Sequence, residues 1–523
     1  MKENNKNSAY LILSVAALGI SLIIALIMFG REWFISLREY GPDGSQLAWV
    51  GWSYYQQLLD SGHFQRVVLN TVRFNVLFAF FAFVLAVLIG TGLRYVPSRF
   101  RTALVMLFLL IVFLPAEVYA GWWIHQLPVE VLLQSDRMML LHPLLSAVKY
   151  LGIPLALIYA LAYFRPEDRW LPLKGAGLFA LSILAFIGTG LFSLSSAFYN
   201  PAIADAIDTL DNFVFRTGPT QAQYSMLAAL NVMSTLLSAC ALLIMIVPLW
   251  LLIRVTLKRP AIQENQIVQE TAQAPQRELI NESSLAHHAI SALIALVLFA
   301  VIYFSPYWLR GLPTWPEQFQ GQLQLAGPFA YSIALSLLTA LGSVLIALAI
   351  AGVFRSSHKL LLWSASAALA IITLVSLHTR SISEYFTIMN WGLLNTYAAI
   401  FLTTVFSTAA IWALAAVWRI ESNLSLSTIV TSLSGLLLIQ AALHYGYVQP
   451  YLLYISDPGQ FTPVMMYRML TKMPPGPDSH SLEGGIALIG FLVSTPALLL
   501  YLFAHMLLPG KRLLLMIAGG MKQ

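Results

Sequence analysis

The chain has 523 residues, of which 59% are apolar and only 10% charged, with a formal net charge of +6. Ordinary soluble domains carry about 25% charged residues, so a soluble multidomain protein is excluded, and the sparse positive charge is no nucleic-acid footprint. Cys240 is the only cysteine, which rules out an intrachain disulfide and a cysteine metal cluster.

Apolar runs of bilayer length recur along the chain, and a spanning helix needs roughly 20 mostly apolar residues. In order they fall at 9–29, 74–93, 102–124, 144–164, 175–194 and 225–253, then at 288–304, 329–353, 360–377, 393–417, 425–443 and 485–508. The first run follows Lys2 and Lys6 and is long for a signal-peptide core. Gly30-Arg31-Glu32-Trp33 after it is no small-residue cleavage site, so it reads as a retained helix. The expected fold class is an all-α polytopic membrane protein of about twelve transmembrane helices.

Basic residues cluster in alternate turns: Arg94, Arg99 and Arg101, then Arg254, Lys258 and Arg259, then Arg355 and Lys359, then Lys511 and Arg512. This is the positive-inside pattern, and it places both termini in the cytoplasm. Residues 255–286 break the apolar pattern with a polar, Gln- and Glu-rich stretch lacking aromatics, too poor in apolar surface to fold alone. The expected division is a first six-helix half at 1–254, a cytoplasmic linker at 255–286 and a second half at 287–523. The halves rhyme. Asn70-Thr71 in one and Tyr331-Ser332 in the other each lead a long apolar helix into a basic turn. Because both halves start and end on one side, the repeat is parallel, and a substrate path would lie between them.

Val50-Gly51-Trp52-Ser53-Tyr54-Tyr55, followed by Asp60, Phe64 and Asn70-Thr71, resembles the entry to the core of maltose-type ABC sugar-importer permeases. Leu210-Asp211-Asn212-Phe213 with Thr217-Gly218-Pro219-Thr220 resembles a loop of the first permease subunit type. Gly392-Leu393-Leu394-Asn395-Thr396-Tyr397 resembles the opening of a core helix in the second type. Met516-Ile517-Ala518-Gly519-Gly520-Met521-Lys522 resembles that type's closing segment. The ordered set implies a fused, degenerate pair of permease subunits with the type I ABC importer fold, in a bacterial cytoplasmic (inner) membrane. It also implies an extracytoplasmic solute-binding protein and a separate ATPase dimer as partners.

One departure bears on mechanism. The family's cytoplasmic loops carry E-A-A-x-x-D-G-A on a short helix that docks into the ATPase, and no Glu-Ala-Ala occurs in this chain. The corresponding segments are 165–174, with Arg165, Glu167, Asp168 and Arg169, and 419–424, with Arg419 and Glu421. Neither is long enough for a docking helix with flanking turns. No nucleotide-binding G-x-x-x-x-G-K-[ST] and no H-E-x-x-H occurs, so the chain itself is read as neither an ATPase nor any other enzyme, without cofactor or metal.

Aromatic and hydroxyl-binding residues gather in the outer segments: Trp122, Trp123, His125, Tyr199, Asn200, His444, Tyr445, Tyr447, Gln449 and Tyr451. They read either as an aromatic belt at the headgroups or as a sugar pathway. Glu117, Lys149 and His505 lie near helix ends and read as snorkelling groups. Trp52, Tyr54 and Tyr55 read as a packing element. Asp205, Asp208 and Asp211, three apart, read as a solvated helical face or, against the absence of an EF-hand pattern, as a calcium site. Two functions remain open. One is a permease component importing a sugar or related neutral solute. The other is a non-transporting permease homologue serving as a membrane scaffold or sensor.

Overall fold

The computed structural model describes residues 2–41, 44–164, 168–187, 192–199, 201–217, 223–257, 285–310, 326–356, 358–377, 382–420, 426–456, 461, 464–465 and 480–508. The chain opens with α1 (Lys2–Ser36) and a two-stranded antiparallel hairpin, β1 (Arg38–Tyr40) and β2 (Gln46–Trp49). Then come α2 (Ser53–Asp60), α3 (Gly62–Gly92), α4 (Ser98–Phe113), α5 (Ala116–Gln126), α6 (Val129–Leu132), α7 (Ser135–Tyr150) and α8 (Gly152–Phe164). The first half continues through α9 (Leu171–Ala185), α10 (Phe192–Phe198), α11 (Ala204–Ile207), α12 (Leu210–Thr217) and α13 (Tyr224–Leu257). The second half begins with α14 (Leu285–Arg310), α15 (Ala326–Ala351), α16 (Lys359–Leu377), α17 (Ile382–Asn390) and α18 (Tyr397–Thr404). It closes with α19 (Thr408–Ile420), α20 (Leu426–Tyr445), α21 (Gln449–Tyr454) and α22 (His480–Leu507).

Eight helices among the described residues are long and apolar enough to cross a bilayer, or up to eleven if each of three bent pairs counts as one span. This is a multi-pass helical membrane protein in contact with lipid. The expected spans at 102–124, 144–164 and 393–417 are the bent pairs, broken by 99°, 42° and 45°. The sharpest break follows from Leu114 and Pro115, both extended (ψ 130° and 140°); proline has no N–H to continue the ladder. The expected span at 175–194 is α9, which ends at Ala185 after 15 residues. At 1.5 Å per residue it covers about 22 Å of a roughly 30 Å hydrocarbon core. The expected linker at 255–286 falls mostly on residues 258–284, which lie outside the described residues between α13 and α14.

The helices on either side of residues 258–284 share a pattern of neighbours. Before these residues α3 packs on α9 and α9 on α13; after them α15 packs on α20 and α20 on α22. The first helix of each half also crosses to the other. α1 packs on α13 of its own half and on α16 of the other, while α14 packs on α22 of its own half and on α4 of the other. The Tyr10 hydroxyl donates to Leu348 O at 2.6 Å, and Trp122 Nε1 donates to Tyr303 O at 3.0 Å. Gly352 lets α1 approach: a Cβ there would run into Ser14 and Tyr10. Small residues at such crossings allow the close backbone approach on which helix association in lipid depends.

The ends of the bundle differ in chemistry. At one end Arg94 donates to the carbonyls of Asp168 and Arg169, and Gly177 near the start of α9 meets Leu252 near the end of α13. Arg94, Arg101, Lys174 and Arg254 therefore share a basic end. The hairpin, α17 and the start of α13 lie at the opposite end, where Tyr40 packs on Phe386 and Tyr224 on Tyr385.

Candidate functional site

Both Asn-Thr pairs act on the backbone that precedes the last helices of their half. Asn70 Nδ2 donates to Asp205 O at 2.8 Å, and Thr71 Oγ1 accepts from Leu210 N at 2.9 Å. In the second half Asn395 sits at φ 63°, a left-handed conformation that asparagine tolerates better than most residues. Its Oδ1 accepts from Ser456 N at 2.6 Å, and its own N–H donates to Tyr454 O at 2.9 Å. Thr396 caps α18 by accepting from Ala399 N at 3.3 Å, a bond of the kind that contributes about 1 kcal/mol. Gly51 also has a positive φ, 57°, and forms the turn from the hairpin into α2. Tyr54 lies in α2, and burial raises the pKa of its hydroxyl. The motif residues thus hold the loops that frame the end opposite the basic clusters.

Between those loops lies a narrow cleft whose free space, about 20 Å³, is on the scale of a single water molecule. The first half contributes Val214, Phe215, Tyr224 and Leu227, and the second Ile382, Tyr385, Gln449, Leu453 and Tyr454. None of these carries a charge. Tyr385 stands between Tyr224, at 6.0 Å and 24°, and Tyr454, at 6.3 Å and 25°. This makes a ladder of three stacked rings that crosses from one half to the other, in a geometry aromatic pairs favour.

A buried carboxylate fixes the cleft wall. Glu32 on α1 is 3% exposed. Its Oε1 accepts from Asn231 Nδ2 at 2.8 Å and from Ile382 N at 3.1 Å, and its Oε2 accepts from Ser383 N at 2.7 Å. The carboxylate therefore holds the first N–H groups of α17, where a helix leaves donors unpaired and favours negative charge. Arg31 beside it donates to Thr387 Oγ1 at 2.6 Å. The sequence reading used Arg31 and Glu32 only against a cleavage site and missed this role.

Among the described residues expected along a solute pathway, Gln449 alone lines the cleft. Tyr445 is fully buried and donates to Val493 O at 2.9 Å. His444 is buried beside Ser343, with Nε2 at 3.4 Å from Oγ, and Tyr451 packs on Phe461 with centroids 4.3 Å apart. Trp122 and Trp123 pack edge to face at 4.8 Å against the second half. Tyr447 is half-buried in the turn between α20 and α21. Tyr199 accepts from Arg216 Nη1 at 2.7 Å. Asn200, Gly218, Pro219, Gly519 and Gly520 lie outside the described residues, as does the Thr217 side chain. Tyr385, Tyr224 and Tyr454, which do form the wall, were not singled out from sequence.

The three aspartates do not form one solvated face. Asp205 pairs with Arg66 at 3.1 Å, while Asp208 is 1% exposed and pairs with Arg216. Burial pushes the Asp208 carboxyl up to about 6, although Arg216 pulls the other way. Asp211 lies in the first turn of α12. Among the described residues no three His, Cys, Asp or Glu gather as a metal site. Glu117, Lys149 and His505, expected to reach an interface, are instead 1%, 2% and 3% exposed, because neighbouring helices cover them.

At the basic end, Asp168–Trp170 form a tight turn directly into α9. Asp168 Oδ1 accepts from Trp170 N at 2.9 Å, and Asp168 Oδ2 pairs with Lys174 at 2.6 Å. No helix projects from residues 168–170. Arg165, Glu167 and Glu421 lie outside the described residues, as does the Arg419 side chain at the end of α19.

No family model, no curated protein and no solved structure matches this chain.

Proposed function

We propose that the chain is a permease-like membrane unit that imports a sugar or related neutral solute, with the solute passing between two parallel six-helix halves of type I ABC importer character. The observation that carries this reading is the uncharged, tyrosine-lined cleft contributed by both halves at the end away from the basic clusters. The crossed packing of α1 and α14 supports the two-half organisation. By the positive-inside argument the cleft faces outward and both termini are cytoplasmic, in a bacterial inner membrane. An extracytoplasmic binding protein and an ATPase dimer are the partners the resemblance implies. The test is thermal unfolding of the purified chain with a panel of neutral mono- and disaccharides and of charged solutes. Stabilisation by a neutral solute, lost in Tyr385→Ala and Gln449→Ala, supports the reading. Stabilisation by charged solutes alone, or by none, counts against it.

The alternative, a non-transporting scaffold or sensor, is favoured by one observation: the Asp168–Trp170 turn runs straight into α9, pinned by Arg94 and Lys174. Co-purification separates the two. An ATPase retained in detergent favours transport; a chain that purifies without one in every detergent favours the scaffold.

A further inference from the structure

The break between α4 and α5 lies within the apolar core, and its chemistry is unlike the rest of the bundle. A helix that stops leaves its last carbonyls without intrahelical partners. Three carbonyls at the end of α4 accept from the Lys149 ammonium of α7: Ile111 O at 3.3 Å, Val112 O at 3.4 Å and Leu114 O at 2.5 Å. The ring faces of Tyr119 and Tyr150 stand 5.3 and 5.5 Å from the same nitrogen, within cation–π range. On the other side of the break, Glu117 occupies the first turn of α5. Its Oε2 is buried and has no hydrogen-bond partner among the described residues.

Backbone oxygens at the end of a broken intramembrane helix are the donor set with which membrane carriers hold small monovalent cations. Here an ammonium tethered to α7 stands where such an ion would bind. A plain snorkelling lysine would reach an interface; this one is 2% exposed and turned onto three carbonyls. We propose that the α4–α5 break is a monovalent-cation site that the chain fills with its own lysine, and that removing the Lys149 side chain turns it into a site for Na⁺ or methylammonium. The native protein then carries a fixed cation at this point, and no mobile ion needs to bind or leave there during a transport cycle.

The experiment compares thermal unfolding of the full chain in sodium, methylammonium and choline chlorides at equal ionic strength. The native midpoint is expected to be the same in all three. Lys149→Ala should unfold earlier in choline and recover by about 3 °C or more in saturating sodium or methylammonium. Adding Glu117→Gln to Lys149→Ala should reduce that recovery. Equal midpoints of Lys149→Ala in the three salts would overturn the proposal, as would a native protein that shifts as much as the variant. Should Lys149→Ala fail to accumulate, Lys149→Met decides. It keeps most of the length and loses the charge: a native-level midpoint that is the same in all three salts overturns the proposal, and a lowered midpoint that sodium or methylammonium raises upholds it.

Discussion

Ser383 donates its backbone N–H to Glu32 Oε2 at 2.7 Å across 351 positions of sequence. With the bonds from Ile382 N and Asn231 Nδ2, one carboxylate ties α1 and α13 of the first half to α17 of the second. Hydrogen bonds to a charged group each contribute about 1.5–3 kcal/mol when they replace bonds to water. Glu32→Gln keeps the size but puts an amide NH₂ against backbone donors. It is expected to lose about 2 kcal/mol, with Arg31→Ala costing about 1 kcal/mol through the single bond to Thr387. Unfolding midpoints of the two variants check the order, and a Glu32→Gln protein as stable as native would show that α17 is held by other contacts.

The crossing of α1 onto α16 and of α14 onto α4 places much of the contact between halves outside the linker. Cutting the chain at 268/269 and expressing 1–268 with 269–523 should therefore give a stable complex. Co-purification through a tag on one half measures it. Two halves that each insert stably yet do not associate would contradict the packing argument.

Asp208 supplies a pH signature. Its carboxyl holds its proton up to about pH 6 in the folded chain, against 3.8 ordinarily, because burial disfavours the charged form. Between those values the folded state binds more protons than the unfolded one, so this group's contribution is complete below about pH 4 and lost as pH rises through 6. Asp208→Asn cannot titrate. The midpoint of the variant relative to native is thus expected to rise from pH 4 to pH 7, by up to the equivalent of about 3 kcal/mol. A difference that stays flat across that range would contradict the assignment.

Eight of the expected spans were legible because lipid selects for uninterrupted apolar runs; the Asn-Thr pairs were picked out by the family resemblance, and only Asn395, at φ 63°, and Thr396, which caps α18, have a local backbone reason as well. Pro115 marked the break between α4 and α5 only in retrospect, since proline within a long apolar run is common in membrane helices. Glu32, Glu117 and Lys149 were misread or passed over for one reason. A charge near the end of an apolar run looks as if it reaches water, and the linear pattern does not show that another helix covers it. Tyr385 and Tyr224 lie 161 positions apart, and only the meeting of α17 with the start of α13 makes them a wall. Gln449, which the sequence places among the outer aromatic residues, lines the cleft.

In the proposed function a neutral solute moves between the halves through the tyrosine cleft. The most direct measurement is maleimide labelling of Tyr385→Cys in a Cys240→Ser background, in intact cells, with a membrane-impermeant reagent and a panel of solutes. Labelling from outside is expected, slowed by a neutral sugar and not by charged solutes. Labelling that needs permeabilised cells, or that no neutral solute slows, would contradict that function.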